Sequence, residues 1–141
     1  MIAFMPIAPD DPGSGPQPLG SFSHLRLDVQ DIDSSVAFYR DVIGLRQIVR
    51  YETPQRTIVQ MGADGRLPGI ELWHEPWLGP PPPSRVHIAF WVADVDEAHA
   101  EAVRRGARVL ISPFQVDDER IAFLSDPDGY PIELHHVEPR L

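Results

Sequence analysis

The chain has 141 residues, a net charge of −9 and no cysteine, and these features exclude several classes of protein. The acidic balance disfavours nucleic acids and anionic membrane surfaces as partners, because both carry negative charge. No apolar run approaches the ~20 residues of a membrane-spanning helix, and the opening "MIAFMPIAPDDPG" lacks the basic segment of a signal peptide. The absence of cysteine removes disulfides and thiolate metal ligands. We expect a cytoplasmic protein of one domain, or of two small fused modules.

Two proline-rich segments divide the chain. Residues 1–20 hold five prolines and three glycines, and they predict a tail that is disordered or draped over the fold. Residues 79–84, "GPPPPS", contain four consecutive prolines and predict a stiff, extended linker. These limits predict a first module over 21–78 and a second module over 85–141.

The pattern of each module predicts one helix and four strands in the order βαβββ. In the first module, residues 22–30 alternate as a strand does, Asp31 or Asp33 can cap a helix, and Gly44 can end it. The remaining strands of that module are predicted near 46–51, 56–61 and 69–74. The second module has a strand over 85–92, a helix over about 95–105 that stops at Gly106, and strands over 107–111, 120–125 and 131–137.

The two modules are copies of one another. The segment "HLRLDVQDIDSSVAFYRDVIGLR" begins at His24, and the similar segment "HIAFWVADVDEAHAEAVRRGAR" begins 63 residues later at His87. The triplet Ile-Glu-Leu occupies 70–72 and returns 62 residues later at 132–134. The sequence therefore contains an internal repeat of about sixty residues, whose two copies are expected to be related by a pseudo-twofold axis.

Each copy places a histidine on its first predicted strand and a glutamate on its last. A lone histidine or glutamate on a strand is usually structural, but four such residues at equivalent repeat positions indicate a shared role. A buried carboxylate is costly unless it is paired or binds a cation. Two imidazoles and two carboxylates suit one divalent ion, Ni, Zn, Mn, Co or Fe. The predicted metal ligands are His24, Glu71, His87 and Glu133.

The other four histidines are predicted to be surface or packing residues: His74, His99, His135 and His136. Adjacent strand residues point to opposite faces, so at most one of the last two can share the surroundings of Glu133.

From 21 to 137 the chain resembles the vicinal oxygen chelate superfamily, the glyoxalase I, extradiol dioxygenase and bleomycin-resistance group. The segments that carry the resemblance are "HLRLDVQDIDSSVAFYRDVIGL", "GIELW", "HIAFWVADVDEA" and "DPDGYPIEL". It implies an α+β fold in which two tandem βαβββ modules form a curled mixed sheet around a metal cup, and it implies a homodimer. The cup is built within one chain or between two.

The order of the four ligands is similar to that of bacterial-type glyoxalase I. Extradiol dioxygenases are expected to use two histidines and one glutamate, and bleomycin-binding members usually lack the ligands. The resemblance implies a metal-dependent lyase or isomerase whose ion stabilises an enediolate-type oxyanion of a small substrate. It makes Glu133 the first candidate for the catalytic base and Glu71 the second. The alternatives are a non-catalytic small-ligand binding protein and an iron-dependent dioxygenase, against which the fourth ligand Glu71 argues.

Two acidic residues stand where glyoxalase I binds glutathione. In that enzyme an arginine follows the first histidine by four positions and an asparagine follows the first glutamate by four. Here these positions hold Asp28 and Glu75. Like charges facing an anionic ligand weaken binding, so the sequence predicts a substrate other than glutathione. The alternative is that both acids point elsewhere and that Arg26, Arg50 or Arg85 binds the substrate.

Trp73 shares a predicted strand face with Glu71, and it is expected to form an apolar wall of the cup. Packing at the module or dimer interface is the alternative for this tryptophan. The remaining large aromatic residues are predicted to lie in the core: Trp77, Phe90, Trp91, Phe114 and Phe123.

Overall fold

The computed structural model describes residues 10–137, and it contains two βαβββ modules in tandem. The elements of the first module are β1 (His24–Asp28), α1 (Ile32–Ala37), β2 (Arg46–Glu52), β3 (Thr57–Gly62) and β4 (Gly69–His74). Those of the second are β5 (Ile88–Trp91), α2 (Val95–Arg104), β6 (Arg108–Val116), β7 (Glu119–Ser125) and β8 (Pro131–Val137).

The segments outside the modules carry little regular structure. Residues 10–20 of the predicted tail form turns and bends and are exposed, whereas 1–9 lie outside the described residues, as do 138–141. The predicted linker 79–84 contains neither helix nor strand. Within the described part of the chain, no helix is long and apolar enough to cross a membrane.

The helices begin and end where the sequence predicts. Asp31 and Asp94 cap α1 and α2, and each carboxylate accepts a hydrogen bond of 3.0 Å from the backbone N–H three residues later. The first helix continues into a wider π-helical turn, Phe38–Ile43, and stops at Gly44, whose φ of +94° is left-handed. Gly106, with a φ of +100°, follows α2 in the same way.

Each module contains one four-stranded mixed sheet. The first sheet has the order β1-β4-β3-β2 and the second has the order β5-β8-β7-β6. In both sheets the first strand is parallel to its neighbour and the remaining pairs are antiparallel. The α+β fold of two tandem βαβββ modules is therefore confirmed. Among the described residues the strands form two sheets, and β1 and β5 are edge strands.

The modules share one apolar core. It is made of helix residues and of the sheet residues that point toward the helices, and both modules contribute to it. Among the strand residues it buries are Leu27, Val59, Met61, Leu72, Ala122, Leu124 and Ile132. The opposite face of each sheet carries the candidate site.

A buried carboxylate in the "DPDG" turn joins the second module to the first. Asp126 accepts a 2.7 Å hydrogen bond from the hydroxyl of Tyr39, and it accepts 2.9 Å bonds from the backbone N–H groups of Asp128 and Tyr130. Burial raises the pKa of Asp126 although these hydrogen bonds oppose the shift. Asp128 in turn accepts a 3.0 Å bond from the backbone N–H of Gln30. In this chain the turn therefore helps to fix the modules against each other.

The prediction that Trp77 and Trp91 lie in the core is wrong. Trp77 is 58% exposed in the loop after β4, and Trp91 is 68% exposed. Trp91 lies on the sheet face that carries Glu133, because β5 and β8 are in register and place Trp91 opposite His135. The three phenylalanines are half-buried: Phe90, Phe114 and Phe123.

Candidate metal centre

The first predicted pair lies on neighbouring strands of the first sheet. His24 on β1 and Glu71 on β4 bring Nε2 and Oε2 to within 3.4 Å of each other. The Ser23 hydroxyl lies 2.9 Å from Nδ1 of His24, which leaves Nε2 directed at the carboxylate. Two ligands on one tetrahedral zinc ion, with bonds of about 2.0–2.2 Å, are separated by about 3.4 Å. The atoms of this pair therefore fit two positions on one metal ion.

The second predicted pair repeats this arrangement in the other module. His87 Nε2 lies 2.7 Å from Glu133 Oε2. Glu133 is on β8, as Glu71 is on β4, but His87 immediately precedes β5, which begins at Ile88. The same two atom types thus face each other at matching positions of the repeat, but the second pair is in direct contact and must separate by about 0.7 Å to occupy two positions on one ion.

A single chain does not gather the four ligands into one group. Among residues 10–137, the His, Asp and Glu side chains that form a set of three, with ligand atoms within 4.8 Å of one another, are Glu119, Glu133 and His135. One chain therefore supplies two half-sites, and the four-residue site stays a prediction.

The sequence did not point to Glu119, whose place beside Glu133 depends on strand pairing. Of the two adjacent histidines, His135 shares the face of Glu133, and its Nδ1 lies 3.1 Å from the Glu119 carboxylate. His136 turns the other way, and its Nδ1 lies 2.9 Å from the Val92 carbonyl oxygen.

Two donors hold both oxygens of Glu71. The amide of Gln60, opposite Glu71 on β3, donates a 2.8 Å hydrogen bond to Oε2, and the indole N–H of Trp73 donates to Oε1. Partial burial would raise the pKa of Glu71, but these hydrogen bonds and the charges of His24 and Arg26 bring the pKa below its usual value. Glu71 is therefore an ionised and positioned carboxylate.

Glu133 lacks the equivalents of these donors. Phe123 stands opposite Glu133 on β7, where Gln60 stands opposite Glu71. His135 occupies the repeat position of Trp73, but its Nδ1 is directed at Glu119. Among the described residues, the polar contact of the Glu133 carboxylate is its 2.7 Å contact with His87. The two halves of the site are therefore chemically unequal.

Removing the indole donor tests whether Glu71 must be positioned to bind a metal. Trp73→Phe keeps a ring beneath Arg26 but leaves one oxygen of Glu71 without its donor. We expect the metal affinity to fall about 10–100-fold, the usual effect of losing a group that orients a ligand. Competition with a chromophoric chelator measures this affinity. Trp77→Phe, which changes an exposed tryptophan in the loop after β4, is the control, and equal affinities of the two variants would contradict the prediction.

An arginine neutralises much of the acidic charge beside Glu71. Asp28 accepts hydrogen bonds of 3.0 and 2.6 Å from Nε and Nη2 of Arg26, and Glu75 Oε1 lies 3.5 Å from the same Nη2. The guanidinium lies 3.9 Å from the centre of the Trp73 ring. One face of Trp73 is therefore covered by a cation. The sequence predicts an apolar wall at this residue, and only the uncovered part of the ring can provide one. Asp28 and Glu75 are both paired with Arg26.

Comparison with known protein families identifies the superfamily of this chain. Residues 21–134 match the glyoxalase/bleomycin resistance protein/dioxygenase superfamily. The chain belongs to this superfamily. The lactoylglutathione lyase of Haemophilus influenzae is 37% identical over 127 residues, which cover 79% of this chain and 88% of that protein. The metallothiol transferase FosB of Staphylococcus epidermidis is 27% identical over 123 residues, which cover 82% of this chain and 80% of that protein.

Solved structures show the same superfamily fold. The trypanothione-dependent glyoxalase I of Leishmania major has a TM-score of 0.68 and 26% identity, over 82% of this chain and 85% of that one. TnmS3, an antibiotic-binding protein of a Streptomyces species, has a TM-score of 0.68 at 23% identity, over 86% of this chain and 99% of that one, and it supports the fold alone. Both enzymes and a binding protein therefore share this superfamily architecture.

Proposed function

We propose that this superfamily member is a metal-dependent lyase or isomerase that acts on a small substrate other than glutathione. Its divalent ion, Ni, Zn, Mn, Co or Fe, is held by His24, Glu71, His87 and Glu133. One observation carries the proposal: both modules direct a histidine Nε2 at a glutamate Oε2 at matching positions of the repeat. The chemistry of this donor set supports a borderline divalent ion, because imidazole and carboxylate are its usual ligands.

We propose further that two chains complete the site as a homodimer. The first pair of one chain would meet the second pair of its partner, because the four side chains do not form one group within the described part of a single chain. The edge strands β1 and β5, which lie at or beside the two histidines, have no strand neighbour on one side within that part of the chain. Both half-sites also lie on the sheet faces opposite the core.

The chain's own residues assign different roles to the two glutamates. A divalent ion bound at this site supplies Lewis-acid polarisation of two adjacent substrate oxygens. Glu71, whose two oxygens accept from Gln60 and Trp73, keeps its charge and its place. Glu133, which has His87 as its polar partner among the described residues, is the carboxylate free to take a proton from the substrate. This inequality supports Glu133 as the base.

Counting metal ions tests the proposal. We expect the stripped chain, reloaded separately with Ni, Zn, Mn or Fe(II), to bind about one ion per chain and His87→Ala to bind none. His74→Asn is the matched control, because His74 lies on the other face of β4 with Nδ1 3.1 Å from the Val29 carbonyl oxygen. Binding by the wild type no greater than that of His87→Ala would reject the metal site and the enzyme proposed on it.

A second candidate is the reaction named for the Haemophilus influenzae relative, a lactoylglutathione lyase. Its support is the 37% identity with that enzyme, together with the pairing of Asp28 and Glu75 with Arg26, which offsets their charge. A non-catalytic binding function rests on likeness of fold to TnmS3.

A further inference from the structure

Each module carries a stack of two flat groups beside its histidine–glutamate pair, and the two stacks differ in both members. In the first module the Arg26 guanidinium lies on the Trp73 ring at 3.9 Å. In the second module Trp91 lies on His135, with ring centroids 4.0 Å apart and an interplanar angle of 23°. His135 follows Trp73 by 62 residues, which is the spacing of the repeat. One half of the site is therefore covered by a cation and the other by an indole.

Within a single chain, the indole of Trp91 is held at its base and open on its outer side. Its side chain is 68% exposed, a large value for a tryptophan on a sheet face that carries a candidate site. The ring beneath it, His135, is held by Glu119 through a contact of 3.1 Å. An aromatic face fixed in orientation is a ready surface on which a second flat ring can stack.

The strand register places this surface one step from the Glu133 carboxylate. On the paired strands β5 and β8, Ala89 stands opposite Glu133 and Trp91 stands opposite His135. Residues two apart on one strand face are separated by about 6.5–7 Å. The side chain between His87 and Trp91 on this face is the methyl group of Ala89, which leaves the path open. A molecule whose metal-binding oxygens lie at Glu133 can therefore place an aromatic ring on Trp91. The ring is then bonded directly to the group that carries the oxygens, or is joined to it through one atom.

The surroundings of the indole select against negative charge. The same sheet face continues on β7 and β6 with apolar side chains. On β7, Ile121 stands opposite His135 and Phe123 stands opposite Glu133. On β6, Phe114 stands opposite Ile121 and Ile111 stands opposite Phe123. His87 packs edge-on against Phe123 with ring centroids 5.6 Å apart. The carboxylate nearest the stack, Glu119, is engaged by His135 and would repel an anionic group.

We propose that the substrate of this site carries a planar aromatic ring without negative charge, joined directly or through one atom to its two metal-binding oxygens, and that Trp91 stacks on that ring. The inference rests on the proposed metal site and adds to it the class of substrate. Trp91 is thereby a residue that determines specificity.

Three hydroxamates with the same two oxygens and different appended groups test the inference: benzohydroxamate, cyclohexanecarbohydroxamate and acetohydroxamate. Their affinities for the zinc-loaded protein are measured by titration calorimetry. We expect the wild type to bind the phenyl compound about tenfold more tightly than the cyclohexyl compound, because the planar ring stacks and the puckered ring does not. Trp91→Ala should remove this preference, and acetohydroxamate, which carries no ring, reports whether the metal site of the variant still binds the shared oxygens. Trp91→Phe and the control Trp77→Ala should keep the preference.

The other outcomes distinguish failure of the stacking role from failure of the metal site. Equal binding of the phenyl and cyclohexyl compounds by the wild type, or an unchanged preference in Trp91→Ala, overturns the stacking role while acetohydroxamate still reports a functional metal site. Failure of the wild type to bind zinc or any hydroxamate defeats the proposed function, and the inference with it. Dissociation of Trp91→Ala into monomers, seen by sedimentation together with loss of acetohydroxamate binding, would make Trp91 an interface residue between copies of the chain and overturn the inference.

Discussion

Co-expression of His24→Ala with His87→Ala is expected to restore the metal binding that each variant lacks alone. If a site takes its first pair from one chain and its second pair from the partner, the mixed dimer has one site with both substitutions and one site with neither. Random pairing of the two chains then returns about one quarter of the wild-type sites. If each chain built its own site, no mixture would return any.

The mixed dimer can be isolated with a different affinity tag on each chain and its metal counted. We expect one ion per two chains. The matched control pairs His24→Ala with Glu71→Ala, since both substitutions change the first module and leave no intact site in the mixed dimer. Isolation of mixed His24→Ala/His87→Ala dimers that bind no metal would show that the site is not shared between chains.

Local chemistry explains how much of the fold the sequence predicts. The strands predicted over 69–74 and 131–137 have these limits in the structure, because each follows a turn and keeps its alternation throughout. The helix ends are similarly fixed by the capping carboxylate of Asp31 and the left-handed Gly44, which depend on neighbours within a few residues.

The strand β6 shows where the local pattern misleads. Its predicted end is at 111, but the strand continues to Val116. Its pairing with β7 shifts between Ile111 and Phe114, and Pro113 lies within that irregularity. A proline is tolerated at such a bulge because it donates no ladder hydrogen bond. The interruption of the pattern is therefore a bulge within one strand and not its end.

The candidate site, like the fold, could be predicted from the sequence only in part. The histidine–glutamate pairs could be predicted because the repeat marks them, whereas the donors to Glu71 depend on which strands become neighbours. Gln60 reaches Glu71 only through the register of β3 with β4. The pairing of Arg26 with Asp28 was within reach of the sequence, since residues two apart on a strand share a face. The exposure of Trp91 was not, because apolar character alone does not tell which sheet face a helix covers.

We expect the wild-type chain, loaded with metal, to show no turnover of the glutathione hemithioacetal of methylglyoxal above the metal-free protein. Arg26 pairs with both Asp28 and Glu75, so these three side chains together keep a net negative charge, and a second arginine, Arg56, lies 5.3 Å from the centre of the Trp73 ring. Glutathione carries carboxylates that such a cluster repels. Absorbance of the thioester product measures the reaction, and robust turnover by the wild type would establish the second candidate function in place of the first.

Reversing the charge of this cluster should create the missing activity. The double variant Asp28→Arg, Glu75→Asn places an arginine and an amide at the positions that bind glutathione in glyoxalase I, and we expect kcat/KM for the hemithioacetal to rise about tenfold or more above background. Asp33→Arg, Glu52→Asn is the matched control, because these acids hold Arg50, which stands opposite Val59 on the face turned away from the site. The control changes the net charge of the protein equally. Equal gains in both variants would assign the effect to overall charge, whereas no gain in the first variant, with its metal content intact, would show that these two acids do not exclude glutathione.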